Sequence, residues 1–588
     1  MQYFYIGVMI LFKLFKFLKP YRKECILGPT FKLIEALLEL LLPTLMALII
    51  NNGVSSHDTS YVLKMGGIMC SMAVLGFCSS MTCQYFAALT SQGFGTTLRN
   101  KLFEHISTFS YVEIDKFGAT SLTNRITSDV NQLQLAVAML IRMAFRAPFI
   151  CIGAIIMSML LDLRLALVLI VATPIFGIII YLIISRTSPL YRKYQNKLDR
   201  LGIVVRENLS GARVIRAFAK TKNEETRFKA TNDDLTSTAV LVGKTSALLN
   251  PLTTLVMNVA IIAILWASSY HINAGTLSQG TIIAFVNYAT QILLALVALS
   301  NLVIIFTKAF ASASRVNEIL DTRASIKDNG NKVETSSRGD DVLIEFKQVS
   351  FAYDSASDCE LTDINITINR GETVGIIGAT GSGKSTFINL IPRFYDVTKG
   401  EIIIKGINVK DYSLRKLRDK ISMVPQKSVL FTGTISDNIR WGKKIATSEE
   451  IIDAAKTAQA NEFIKKLPDG YNTQVTRGGL NFSGGQKQRL TIARAIIAKP
   501  EILILDDSSS ALDFATDAAL RTGLKSLSET MTVITVSQRA SSIKHVDKII
   551  VFDDGKIVGV GPHEYLMTNC ETYKDICLSQ LSEKEVNK

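Results

Sequence analysis

Eight cysteines are scattered at 25, 70, 78, 83, 151, 359, 570 and 577, and none forms a CxxC pair or stands at metal-ligand spacing from a histidine. This excludes a disulfide framework and a zinc site, and leaves the cysteines as small apolar residues. No signal peptide is recognisable. Lys13, Lys16 and Lys19 lie within and after the first apolar stretch, not before it, and no small-residue cleavage site follows. Low-complexity tracts are also absent. The most informative lack is of charge over long distances. Residues 65–98, 165–184, 248–270 and 281–307 contain no Asp, Glu, Lys or Arg. A bilayer core needs about 20 apolar residues in a helix. Two further apolar stretches, 25–50 and 136–160, carry a few charges, so six spans are predicted. A mean hydropathy of +0.27 agrees with membrane helices.

The connections 51–60 and 271–280 contain no Lys or Arg, and 161–164 contains one Arg. Segments 92–135 and 186–246 are long, helix-favouring and basic. The positive-inside rule therefore predicts a multi-pass protein of the cell (plasma) membrane, with both termini and the two long loops in the cytoplasm. Much of the formal +14 charge then lies beside the lipid bilayer, which argues against a nucleic-acid partner. Residues 9–19 mix Leu and Phe with Lys at helical spacing, which predicts an interfacial elbow helix within 1–23. The transmembrane domain is expected over 24–310 and a polar linker over 311–342, where Asn329-Gly330 and Ser336-Ser337 are turn signals. From 343 to 580 short β-branched runs alternate with helical stretches, as in an α/β domain, and 581–588 is a tail.

Gly378, Ala379, Thr380, Gly381, Ser382, Gly383, Lys384, Ser385 and Thr386 contain the full GxxxxGK[ST] pattern. The loop follows an apolar strand and opens a helix, the context in which backbone N–H groups and the helix dipole cradle phosphate. Lys384 is expected to reach the β- and γ-phosphates of ATP and Ser385 to ligate Mg2+. Downstream, an apolar run ends in Asp506, the arrangement that holds the Mg2+ shell in P-loop NTPases. Between them stand Phe482, Ser483, Gly484, Gly485 and Gln486, small residues that open another helix.

That last string closely resembles the LSGGQ signature of ATP-binding cassette (ABC) ATPases, with Phe for the first Leu. The resemblance covers the whole chain. Its fold class is an α-helical six-span transmembrane domain followed by an α/β P-loop NTPase (ABC) domain, the architecture of ABC exporters. It implies that two cassettes bind ATP between them, each nucleotide touching the phosphate loop of one and the signature of the other. It further implies that Tyr353 stacks on adenine, that Gln426 contacts Mg2+, and that Ser510 and Asp513 lie in the loop crossing the cassette interface. Segments 117–131 and 210–218 look like the family's two cytoplasmic loops, each with a short coupling helix that docks on a cassette.

Three positions depart from the family pattern. Asp507 replaces the glutamate that polarises water, drawing the carboxylate back by roughly an ångström, which can cost about 10²-fold in rate. Gln538 replaces the switch histidine and cannot take up a proton as histidine does. Arg477 stands for a glutamate ahead of the signature. Asp507 and Gln538 are thus the catalytic positions, in a degenerate site like that of one subunit of bacterial heterodimeric multidrug exporters. The expected partner is a second ABC half-transporter. The cargo is an unidentified amphipathic small molecule or peptide. A homodimeric exporter with slow hydrolysis, an ATP-gated channel or sensor subunit, and an importer on the exporter fold remain alternatives. Glu35 and Glu39 share one helix face in span one, and Arg142 and Arg146 share another in span three. Charges at membrane depth face cavities or one another, so a Glu–Arg contact along the transport path is expected, with a structural ion pair, or positions at the cytoplasmic ends where water reaches, as the alternatives.

Overall fold

Hydrocarbon offers backbone N–H and C=O groups no partners, so charge-free runs of this length must be helical. The computed structural model describes residues 11, 13–273, 278–328, 341–353, 359–527 and 531–580. They fall into two compact units. The first comprises Met1–Ser107 and Ala119–Thr322, the second Thr108–Gly118 and Arg323–Lys588.

In the first unit six helices are long and apolar enough to cross a membrane: Phe15–Val54, Thr59–Ile106, Ala119–Leu161, Leu163–Ser210, Thr221–Ser269 and Gln279–Asp321. At 1.5 Å per residue each exceeds a hydrocarbon core of about 30 Å. Much of the expected long loops is therefore helical extension of the spans. The sixth helix runs to Asp321, so residues 311–321 of the stretch read as linker continue the span. Ala313, Val316 and Ile319 are buried there, a helical periodicity that their polar neighbours obscure in the sequence. Part of the predicted elbow lies outside the described residues. Its remainder forms a 3-10 turn, Phe15–Tyr21, leading into the first span, and Lys13 pairs with Asp321 at 3.0 Å. Both linker turn signals and the tail also lie outside the described residues.

Small, branched and aromatic side chains fill the bundle, among them Ala47, Ala154, Leu169, Phe176, Ile264 and Phe285. On the second span Val74, Leu75, Phe77 and Met81 are exposed. Such a surface is favourable only under lipid or another chain. Pro43 has no N–H, which frees the carbonyl of Glu39 in the first span. Gln291 of the sixth span donates to that oxygen at 3.4 Å, and the Tyr288 hydroxyl donates to the Leu40 carbonyl at 2.8 Å.

The second unit holds a six-stranded sheet. Its order is Lys556–Gly561, Lys548–Asp553, Thr373–Gly378, Thr532–Val536, Ile502–Asp506 and Ile421–Val424, antiparallel only at the first pairing. The inner strands are almost wholly buried and apolar, as parallel strands covered on both faces must be. An antiparallel sheet built on Val342–Phe351 shares their core, and Phe346 stacks on Phe387 with ring centroids 4.4 Å apart.

A short helix from the membrane half of the sequence, Tyr111–Phe117, folds with this unit. The Tyr111 ring lies 4.7 Å from Phe394, and the Tyr395 hydroxyl donates to Asp115 at 2.9 Å. Glu113 is buried and accepts from the N–H groups of Ser110 (2.8 Å) and Ser325 (3.0 Å). Burial pushes its pKa up, but the hydrogen bonds from Ser110 and Ser325 outweigh this and hold it below the ordinary value of 4.5. Its contribution to stability is present above the unfolded-state pKa and is lost as pH falls through the depressed one. Glu113→Ala strands the buried N–H and hydroxyl donors of Ser110, at about 1–3 kcal/mol. Hydrogen exchange over 108–118 in the full chain is expected to accelerate roughly tenfold or more. The wild type should show the same loosening only below pH 4.5.

Candidate functional site

The C-terminal ends of the parallel strands converge on one cleft, the position where α/β sheets bind ligands. Gly381 and Gly383 have φ of +84° and +92°, a region that side chains disfavour. At Gly383 a Cβ would also come within 2.8 Å of Leu361 and 3.0 Å of the Glu360 carbonyl. Lys384 is buried beneath the loop, and its Nζ donates to the carbonyls of Gly378 (2.9 Å) and Ala379 (2.6 Å) and to Ser382 Oγ (3.3 Å). Burial lowers its pKa against the pull of Asp507 and Asp506.

A cavity of about 190 Å³ opens here. It is lined by Thr380, Gly381, Gly383, Lys384, Ser385, Thr386, Gln426, Asp506, Asp507 and Gln538, and by two residues that motif reading missed, Glu360 and Val536. Ser385 Oγ lies 3.3 Å from Asp506, and Gln426 Nε2 lies 3.3 Å from Asp507. A hydroxyl, carboxylates and an amide oxygen are the hard donors that a small divalent cation takes beside phosphate, so this donor set fits Mg2+. Burial raises the pKa of Asp506; Ser385 and Lys384 work against this, and Asp507 adds to it. Asp507 itself adopts φ +45°, with its N–H bonded to the Val536 carbonyl at 3.0 Å and its carbonyl receiving the Ser510 hydroxyl at 2.8 Å. Such backbone costs about 1–3 kcal/mol and persists where neighbours enforce it. The Gln538 carbonyl accepts from Gln580 Nε2 at 2.8 Å, which leaves the Gln538 side chain to the cavity.

Tyr353 is 44% exposed, so it is not a buried strand-end residue. Its ring meets Phe351 and Tyr395 edge-on at 4.9 and 5.1 Å, and its hydroxyl lies 3.0 Å from Thr386 Oγ1. The signature lies elsewhere: none of Ser483, Gly484, Gly485 and Gln486 lines the cavity. Ser483 and Gln486 cap the helix Gly484–Ile496 reciprocally. A Cβ on Gly484 would meet nothing within 4 Å, so this helix start stands open. The substituted Phe482 is buried edge-on against Phe463, 6.5 Å away, which explains how the larger ring is accommodated. Asp513 caps Phe514–Lys525 through Thr516 N–H at 3.0 Å, and Arg477 is exposed.

Among the membrane charges, Arg146 pairs with Glu39 at 2.6 Å. Glu35 does not meet an arginine. Lys32, one helical turn earlier, holds it at 2.6 Å. Lys32 and Glu35 stand three residues apart on one helix face, so a contact within the first span replaces the expected one between spans.

Comparison with known proteins agrees with this anatomy. Residues 25–317 match the family described as ABC transporter transmembrane region, and residues 361–510 the family described as ABC transporter. An uncharacterized ABC transporter ATP-binding protein of Mycobacterium tuberculosis is 38% identical, over 97% of this chain and 98% of its own length. An ATP-dependent lipid A-core flippase of Haemophilus ducreyi is 30% identical, over 97% and 98%. The solved structure of a bacterial Atm1-family ABC exporter with ATP bound superposes with a TM-score of 0.77 over 97% of this chain and 99% of that one; at 24% identity it speaks to the fold. The chain belongs to the ABC transporter family, as an exporter half-transporter that fuses its membrane region to its ATPase cassette.

A carboxyl whose pKa is raised by burial opposes folding at neutral pH. Asp506→Asn is therefore expected to raise the melting temperature of the nucleotide-free protein. It should also abolish the further rise that ATP with Mg2+ gives the wild type, and thermal unfolding scans read both effects.

Proposed function

We propose that this chain is the weakly hydrolysing half of a heterodimeric exporter. Its phosphate loop grips ATP, with Tyr353 against the adenine. Mg2+ would lie among Ser385, Asp506 and Gln426 and offset phosphate charge. The observation that carries the reading is that Asp507 and Gln538 line the same cavity as an intact phosphate loop. Binding needs the loop, while water activation needs a carboxylate and a proton acceptor in place. The open signature at Ser483–Gln486 then completes the site of a partner that retains glutamate.

A second observation supports a partner. The short helix Ala212–Ala217 buries none of its residues, and Leu209, Val214 and Phe218 around it are exposed. Its apolar surface suits the partner's cassette, just as Tyr111–Phe117 suits this one. The basic long segments face the cytoplasm of the plasma membrane, together with both termini. Closure of the cassettes on ATP turns the bundle outward, and the cargo is an amphipathic small molecule or peptide.

Asp507→Glu combined with Gln538→His in the purified full chain is expected to raise ATP turnover tenfold or more, with nucleotide affinity held within a few-fold. A wild-type chain that alone hydrolyses at about 1 s⁻¹ or faster, the ordinary enzyme range, contradicts the proposal.

A further inference from the structure

Five charged side chains stand within the apolar stretches 25–50 and 136–160 of the first and third spans: Lys32, Glu35, Glu39, Arg142 and Arg146. Within this set two carboxylates face three cations; Glu24, just outside the first stretch, has a buried Oε2 that also lacks a partner among the described residues. The ion pairs show which cation of the set is left over. Lys32 takes Glu35 and Arg146 takes Glu39. Arg142 makes no hydrogen bond or ion pair among the described residues, although Lys32, Glu35 and Arg142 all act electrostatically on Cys83 of the second span. The Nε atoms of both Arg142 and Arg146 are buried without a partner. An unsatisfied buried donor on a charged group is costly and calls for an explanation. Arg142 also sits in the π-helical turn Leu140–Ala144, a distortion common at functional sites.

We propose that Arg142, assisted by Arg146, is the headgroup subsite for an anionic amphiphile carried by this transporter, with a phosphate or carboxylate as the group recognised. At 1.5 Å per residue Arg142 lies about 28 Å before Leu161 along the third span. A hydrocarbon core is about 30 Å thick. The guanidinium therefore stands at the edge of the core, at the end that carries the helical extensions. A head held there leaves its tail in apolar surroundings. Phe145, exposed one turn further into the core on the same segment, supplies surface for that tail. Arginine's planar fork of donors matches phosphate and carboxylate oxygens in pairs. Simple snorkelling to water would leave the whole guanidinium wet, which the buried Nε does not allow. The inference rests on the export reading but not on weak hydrolysis, because binding to the bundle needs no ATP turnover.

The test uses the purified full chain in phosphatidylcholine nanodiscs and radiolabelled dodecyl phosphate as probe. Saturable binding is expected. Arg142→Gln should weaken it tenfold or more, and Arg142→Lys, which keeps the charge and loses the fork, by less. Unlabelled dodecyltrimethylammonium and dodecyl maltoside should compete poorly. Retention of the ATP-induced thermal shift shows that each variant is folded; should Arg142→Gln fail this check, the Arg142→Lys result carries the test. Undiminished binding in Arg142→Gln, or equal competition by the cationic analogue, overturns the proposal. Displacement by millimolar inorganic phosphate would assign the site to a free anion and overturn the amphiphile. Normal binding alongside full wild-type hydrolysis would remove the heterodimer reading and leave this one standing.

Discussion

Everything at the nucleotide cleft depends on the register of one buried strand. Ile502–Asp506 is paired on both sides, to Thr532–Val536 and to Ile421–Val424. Asp506 lies opposite Val536, which in turn lies opposite Ile376 just before the phosphate loop. A slip of one residue would turn every side chain to the other face. With the register fixed, Asp506 faces Ser385, and Asp507, in left-handed backbone, is aimed at the cavity. There is no slack in the main chain to recover a missing methylene. On the proposed reading, this is what makes a change as small as glutamate to aspartate matter here more than it would on a loop.

The same rigidity bears on the proposal that this cassette binds ATP but hydrolyses it weakly. Gripping phosphate depends on glycine conformations and on a lysine already bonded to its own loop, and all of these are intact. Presenting a signature depends on a capped helix start, also intact. Besides Phe482 and Arg477, the departures from the family pattern are Asp507 and Gln538, both on the cavity. On the proposed reading, binding and signature donation separate from hydrolysis at two side chains, Asp507 and Gln538.

Much of this was legible in the sequence, for definable reasons. Charge-free runs announce spans because lipid admits nothing else, and the phosphate loop announces itself because glycine is needed where φ is positive. Other features lacked a local signal. The helix end at Asp321 was hidden among polar residues that follow the helical period. Glu360 joins the cleft only through tertiary folding, being bracketed by Gly383 and Gly555. The Tyr111–Phe117 helix reads as part of the membrane half, yet its contacts with Phe394 and Tyr395 place it in the other unit. For the membrane charges, sequence spacing predicted Glu–Arg pairing. One such pair formed at Glu39, but Lys32 claimed Glu35 and left Arg142 without an ion pair among the described residues.

The central claim is that this cassette holds ATP without turning it over. The direct measurement is to load the purified full chain with ATP labelled on its γ-phosphate, in the presence of Mg2+, remove free nucleotide, and follow the identity of what stays bound at 25 °C. The account predicts that the retained nucleotide remains ATP for many minutes. Conversion to ADP within seconds would contradict it.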